Sequence, residues 1–260
     1  MEMPLNRFKR RLFDPGTQFG IWCSLADPVA TEVSASAGFD FLTIDAEHGP
    51  NDLRTVLGQL QAATAYSTSV IVRVSQGDTA LIKQVMDIGA QTIVVPIVET
   101  AEQAEALVAA TRYPPDGIRG VATARAARWG RVDDYFARAN EEACLVVQIE
   151  SANGLANIEA IAAVEGVDAL FVGPSDLGAS LGYLGQAGHD DVRRIVCEAI
   201  SRINSAGKAS GVLAQGDELI QTYLDAEVGF IAVGVDTYLL AAATRSLVDR
   251  WVLPEAMMEP

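Results

Sequence analysis

The feature that most constrains this chain is an alternation: eight short runs rich in β-branched residues, each followed by a longer segment with apolar residues at helical spacing. That order predicts repeated strand-helix units around a parallel sheet, since parallel neighbours need a crossover and a helix supplies it. The strand runs are 19–24, 39–44, 69–74, 92–98, 144–149, 169–172, 209–213 and 230–235, and the helical stretches are 27–37, 51–65, 78–88, 100–111, 153–164, 190–206, 218–226 and 237–249. The run at 92–98 is apolar on consecutive residues, as a strand buried on both faces must be, and Pro96 places its C-terminal end. Asp27, Asn51, Asp78, Thr100 and Asn153 are suited to cap helix starts, and Gly38, Gly89, Gly166 and Gly207 to end helices in the left-handed region. Eight such units close naturally into an α/β fold of the (β/α)8 TIM-barrel type, one domain over residues 1–260. An open doubly wound sheet is the alternative, but no GxGxxG follows the first strand.

Charge narrows the partners. Nineteen basic against 34 acidic residues leave a formal charge of −15, which repels a phosphate backbone or an anionic bilayer, so neither nucleic acid nor membrane is expected. Met1 to Arg11 lacks an apolar signal core, and no apolar run approaches the length of about 18 residues that spanning requires. Cys23, Cys144 and Cys197 are scattered and odd in number, which fits a reducing cytoplasm and neither a disulfide framework nor a thiolate zinc site.

In a barrel of this type chemistry gathers at the C-terminal ends of the strands. Those places hold Asp45-Ala46-Glu47-His48-Gly49 after the second run, Arg73 at the third, Gln148-Ile149-Glu150 at the fifth, and Gly173-Pro174-Ser175-Asp176 after the sixth. Glu150 and Asp176 are oxygen donors from neighbouring strand ends, suited to Mg2+, Mn2+ or Co2+ with water or substrate oxygens completing the shell. Capping the following helices is the competing use of the same carboxylates, and sequence chemistry leaves both open. His48 is the general-base candidate because imidazole titrates near neutrality, with a histidine packed under a loop as the alternative. His189, beside Asp190 and Asp191, reads as a surface or capping residue. Arg73 can grip a carboxylate or an enolate oxygen, with Asp45 as its expected ion-pair partner. Asp87, on the helix after the third strand, is either an exposed carboxylate or a partner that orients His48. Lysines occur only at positions 9, 83 and 208, none at a strand's C-terminal end, so imine catalysis is disfavoured and a divalent metal is left as the electron sink. The longest irregular stretch, 113–140, carries Arg119, Arg125, Arg128, Arg131 and Arg138 and a short helix expected at 133–139. An insertion of that length is usually functional or an interface.

The ordered motifs Asp45-Ala46-Glu47-His48-Gly49-Pro50, Gly77-Asp78-Thr79-Ala80-Leu81-Ile82-Lys83, Gly89-Ala90-Gln91-Thr92, Arg112-Tyr113-Pro114-Pro115, Gly117-Ile118-Arg119-Gly120, Gln148-Ile149-Glu150 and Gly173-Pro174-Ser175-Asp176-Leu177 resemble the HpcH/HpaI family of metal-dependent (class II) pyruvate aldolases over residues 16–250. The resemblance implies reversible cleavage of 4-hydroxy-2-oxo acids to pyruvate or hydroxypyruvate and an aldehyde, with no nucleotide cofactor. It implies Glu150 and Asp176 as metal ligands, and pyruvate held by Gln148 and the Pro174-Ser175-Asp176 loop. It also implies Arg73 on the enolate oxygen, His48 as base, and Asp87 as the acid raising that histidine's basicity. Relatives often have Ala where this chain has Ser175, a position that, with Leu213, bears on admission of hydroxypyruvate. The family is hexameric, a trimer of dimers that exchange a C-terminal helix, and the 119–131 loop would close a neighbouring subunit's site. An acyl-coenzyme A thioester lyase of the same superfamily and a non-catalytic carboxylic-acid-binding barrel are the competing functions.

Overall fold

The computed structural model describes residues 1–252; positions 253–260, included in the expected domain, lie outside the described residues. Eight strands, β1 (Gln18–Cys23), β2 (Phe41–Asp45), β3 (Ser69–Arg73), β4 (Thr92–Val95), β5 (Cys144–Ile149), β6 (Ala169–Val172), β7 (Ala209–Leu213) and β8 (Phe230–Val235), pair in parallel with their sequence neighbours, and β8 returns to β1. This is the expected (β/α)8 barrel. Its helices are α1 (Arg7–Arg10), α2 (Pro28–Ser36), α3 (Leu53–Ala62), α4 (Thr79–Asp87), α5 (Ala101–Thr111), α6 (Tyr135–Glu142), α7 (Ala152–Ala156), α8 (Ile158–Ala162), α9 (Pro174–Ser180), α10 (Asp190–Ser205), α11 (Asp217–Asp225) and α12 (Asp236–Trp251).

Two apolar layers hold it together. One lies between strands and helices, where residues such as Ile44, Val72, Ile93, Ile149, Val196 and Ile231 are shut from solvent. The other fills the barrel, where Trp22, Phe41, Phe171 and Phe230 take the inward positions. Gly20 and Gly211 are required there, because a Cβ on either would fall within the rings of Phe41 and Phe230. The N-terminal end of the barrel is stoppered by α1, which the periodicity missed because it has a single turn. Its Phe8 is fully buried, edge-on to Phe41 and Phe230 at 5.5 and 5.1 Å. Asn6 caps α1 through a bond from the Lys9 N–H and also donates to Thr92 Oγ1 and the Glu142 carbonyl.

Departures from the predicted bounds have local causes. The fourth strand stops at Val95 rather than 98 because Ile97 adopts φ 54°, turning an apolar run out of the ladder. The helix expected at 153–164 is two short ones, α7 and α8, broken at Asn157, whose side chain donates instead to the Glu99 carbonyl. Ser151 caps α7 and Asp52 caps α3, so Asn153 and Asn51 do not take the capping roles expected of them. Asp27, Asp78 and Thr100 do cap, and Gly38, Gly89, Gly166 and Gly207 all have positive φ. His189 caps α10, accepting from the Asp191 N–H at 3.2 Å.

Candidate functional site

Parallel register brings the site together. Asp45 and Arg73 are paired residues at the ends of β2 and β3. Arg73 donates from Nε and Nη2 to the two Asp45 oxygens at 2.9 and 2.8 Å, and its Nη1 lies 2.8 Å from Glu47 Oε2. Only 7% of Arg73 is exposed, and its guanidinium lies over the Trp22 ring, 4.9 Å from the centroid. A buried guanidinium needs this compensation. Of its five N–H donors, two serve Asp45 and one faces Glu47, so among the described residues two are left for an incoming anion. Burial opposes ionisation of Asp45, but the bonds from Arg73 and from the Glu47 and His48 N–H groups outweigh it and hold the carboxyl below its ordinary range. Asn51, freed from capping, donates to the Asp45 carbonyl at 2.7 Å and braces the loop.

Glu150 is 5% exposed and caps nothing. Its Oε1 accepts from the Ile97 N–H at 2.7 Å and its Oε2 from Gln148 Nε2 at 2.6 Å, so the kink that ends β4 early exists to present a donor to this carboxylate. Burial pushes Glu150 up to about 7, partly offset by the Ile97 N–H, and the charges of Glu47 and Asp176 add to the rise. Asp176 lies in the first turn of α9, a helix the sequence reading missed, whose start is capped by no side chain. A Cβ at Gly173 would come within 2.6 Å of Glu150 Oε2, so glycine lets the β6 end approach that carboxylate.

These residues surround a cavity of about 620 Å3 at the C-terminal end of the barrel, lined by Asp45, His48, Arg73, Gln148, Pro174, Ser175 and Asp176 among others. Glu150 lies just behind the wall, bonded to the lining Gln148. The His48 side chain is 67% exposed, not packed under a loop, and its Nε2 is 3.9 Å from Glu47 Oε2. No lysine lines the cavity: Lys9 and Lys208 bond to the Ala143 and Val167 carbonyls at the opposite end, and Lys83 is on α4.

Asp87 is not brought to His48 within this chain. The α4 helix starts at the active end and runs back, so its last residue sits at the opposite end of the barrel from His48 in the same chain. There Asp87 accepts from Arg119 Nη2 at 2.8 Å, and Arg119, 3% exposed, stacks over Tyr113 at 4.4 Å. The sequence reading passed over Trp22, Ser24, Phe171, Gln215, Thr237 and Tyr238, which also line the wall. A census of residues following every strand, the first, seventh and eighth included, would have found Ser24, Gln215 and Thr237. Trp22 and Phe171 give no signal, since inward aromatics look like core.

Among the described residues no group of three His, Cys, Asp or Glu side chains forms a full protein cage for a divalent cation. Glu150 and Asp176 instead offer two carboxylates from adjacent strand ends, with Glu47 adding negative potential. Gln148 Oε1 is a buried acceptor with no partner among the described residues, as expected beside bound water or substrate. A hard cation that keeps several waters fits such a set.

Comparison with known proteins gives concordant results. The family described as HpcH/HpaI aldolase/citrate lyase matches residues 18–243. A hydroxypyruvate/pyruvate aldolase of Pseudomonas aeruginosa is 53% identical over 253 residues, 96% of this chain and 94% of that protein. A 4-hydroxy-2-oxovalerate aldolase of Rhodococcus jostii is 50% identical over 252 residues, 96% and 98% of the two chains. Among solved structures, an HpcH/HpaI aldolase/citrate lyase family protein from Burkholderia cenocepacia superimposes with a TM-score of 0.91 at 41% identity, covering 95% of this chain and all of that one.

Proposed function

This chain belongs to the HpcH/HpaI aldolase/citrate lyase family, and from that premise we propose that it is a class II aldolase that reversibly cleaves 4-hydroxy-2-oxo acids to pyruvate or hydroxypyruvate and an aldehyde. The observation that carries this reading is the Arg73 guanidinium, fixed on two sides by Asp45 and Glu47 with donors to spare, facing the same cavity as Gln148 and Asp176. Relatives at about half identity are named for the same class of reaction.

In this reading Glu150 and Asp176 hold Mg2+, Mn2+ or Co2+, which when bound supplies a Lewis acid that polarises the 2-oxo group. Gln148 and the loop Pro174-Ser175-Asp176 bind the pyruvate end. His48, exposed to the cavity, removes the C4 hydroxyl proton, directly or through water. As the C3–C4 bond breaks, its electron pair moves into the developing enolate, and the free N–H groups of Arg73 meet the enolate oxygen, where charge is created rather than lost. Arg73 needs no reorganisation at that moment, because Asp45 already fixes its plane.

The site is proposed to work in a homo-oligomer, a hexamer with α12 exchanged between copies. Support comes from the exposed Leu240, Leu247, Val248 and Trp251, spaced to lie along one side of α12 with no core of their own chain beneath them. Asp87 could then meet His48 only across a subunit boundary. Cys23, Cys144 and Cys197 are unpaired, which supports a reducing, cytoplasmic setting, and among the described residues no helix is long and apolar enough to cross a membrane.

The deciding experiment is exchange of pyruvate methyl protons for deuterium, followed by NMR, before chelation, after chelation and after restoring Mn2+ or Mg2+. Exchange that stops with chelator and returns with metal is expected. No exchange under any metal, with pyruvate shown to bind, would overturn the aldolase reading.

A further inference from the structure

Asp236 is a buried carboxylate that the aldol mechanism leaves unused. It is 8% exposed and is the first residue of α12, directly after β8. Its charge is met by backbone N–H groups: Oδ1 accepts from Ser24 at 2.8 Å and from Thr237 at 2.7 Å, and Oδ2 accepts from Leu25 at 3.1 Å. A carboxylate taken out of water is costly unless bonded in this way, and three donors from two segments need an acceptor with two oxygens.

The bonds fall at an irregular seam of the barrel. The β1 and β8 strands shift register between Gly20 and Trp22, and their last matched pair is Trp22 with Val235. Just beyond that pair the N–H groups of Ser24 and Leu25 go to the side chain of Asp236, the residue after Val235, so a carboxylate finishes what the ladder leaves open. The next residue, Ala26, is left-handed at φ 55°, a conformation that persists where surroundings impose it. Here the Asp236 bonds precede it and the Asp27 cap of α2 follows it.

The end of β1 held in this way reaches the principal cation of the aldol site twice. Trp22 lies under the Arg73 guanidinium, 4.9 Å from ring centroid to Cζ, and packs on Phe171 at 5.4 Å. Ser24 Oγ lies 3.4 Å from Asp45 Oδ2, the oxygen that Arg73 Nη2 also meets. The Ser24 carbonyl is 3.2 Å from where a Cβ on Gly49 would stand, so Ser24 is packed into the site rather than passing over it.

We propose that Asp236 is a positioning residue for the aldol reaction: by closing the seam between β1 and β8 it holds Trp22 beneath, and Ser24 beside, the Asp45–Arg73 pair. The inference rests on the aldolase reading given above. Asp236 touches no reacting atom in it and acts through the geometry of Arg73.

Exchange of pyruvate methyl protons for deuterium by the intact, Mn2+-loaded protein tests this, measured against pyruvate concentration so that maximal rate and half-saturation separate. D236A should lower the maximal rate by about 10–10² with half-saturation within about twofold, because the Arg73 contact matures in the transition state. Combined with R73K, which has already lost the planar fork, D236A should cost less than about threefold more. A defect of folding or assembly lowers wild type and R73K by the same factor. Equal losses in the two backgrounds, an unchanged rate in D236A, or a rise in half-saturation alone would therefore overturn the proposal. Should D236A not fold, D236N carries the test: asparagine keeps one acceptor oxygen, and a smaller loss, again reduced in R73K, is expected. No exchange by wild type under any metal overturns the aldolase reading and this inference with it, whereas exchange by wild type with equal losses overturns this inference alone.

Discussion

Asp45 and Arg73 face each other across adjacent strands in register and share two hydrogen bonds, so the orientation of the site's principal cation is decided by strand pairing rather than by loop conformation. Arg73→Lys keeps the charge and loses the planar fork. The expected result is a fall in kcat of about 10²–10³ with the melting temperature nearly unchanged, the scale for removing one oriented donor. Asp45→Ala should instead lower stability by about 3 kcal/mol, because it strands a buried guanidinium. Steady-state kinetics beside chemical denaturation separates the two.

His48 should behave differently because its side chain is exposed and carries no packing. His48→Ala is expected to reduce aldol cleavage by about 10²–10⁴ while leaving the thermal midpoint and the affinity for Mn2+ close to wild type. A kinetic assay paired with metal titration checks this, and full retained cleavage would remove His48 from the mechanism.

What the sequence disclosed, and what it hid, follows from how each signal is encoded. Strand-helix alternation depends on burial at many positions, so the eight strands were legible, four of them to the residue: β5 to β8. The polar ends of β2, β3, β5 and β6 stood out because charged residues interrupt apolar runs. Ile97 was hidden because a left-handed isoleucine looks like strand, and its role is played by a backbone N–H that no side chain announces. Asp87 lies away from His48 within its own chain because a residue on the helix after a catalytic strand is near that chain's site only in its first turn, and Asp87 is in the last.

The stopper at the far end yields a stability prediction independent of activity. Phe8 is wholly buried between Phe41 and Phe230. Phe8→Ala opens a cavity on the barrel axis and is expected to cost about 3–5 kcal/mol in urea denaturation. Michaelis constants measured well below the melting temperature should stay near wild type, since the cavity that holds Arg73 is at the other end.

Glu142 makes the attachment of the N-terminal segment depend on pH. Burial alone would raise its carboxyl, but bonds from Arg10 and from the Asn6 N–H prevail and hold it below its ordinary value. A depressed folded value means that the stabilisation is complete above the unfolded carboxyl's range and is lost as pH falls through the lowered folded value. Glu142→Gln should therefore be less stable than wild type at pH 7, and the gap should narrow as pH falls through the lowered carboxylate range. Denaturation midpoints across that range test the convergence.

The helix α12 carries an unpaired apolar stripe. Leu240, Leu247, Val248 and Trp251 recur at steps of seven, one and three residues, so they share a side of the helix, and all are exposed in the isolated chain. A stripe of large apolar side chains on a sixteen-residue helix is unfavourable in water, and burial against a second copy removes that surface at roughly 25 cal/mol per Å2. Leu247→Lys combined with Trp251→Lys should shift the assembly toward smaller species by light scattering, with far-ultraviolet circular dichroism unchanged. Activity should fall with assembly, since Asp87 could reach a His48 only across a subunit boundary. Unchanged assembly would remove α12 from the interface, and an active monomer would remove Asp87 from the mechanism.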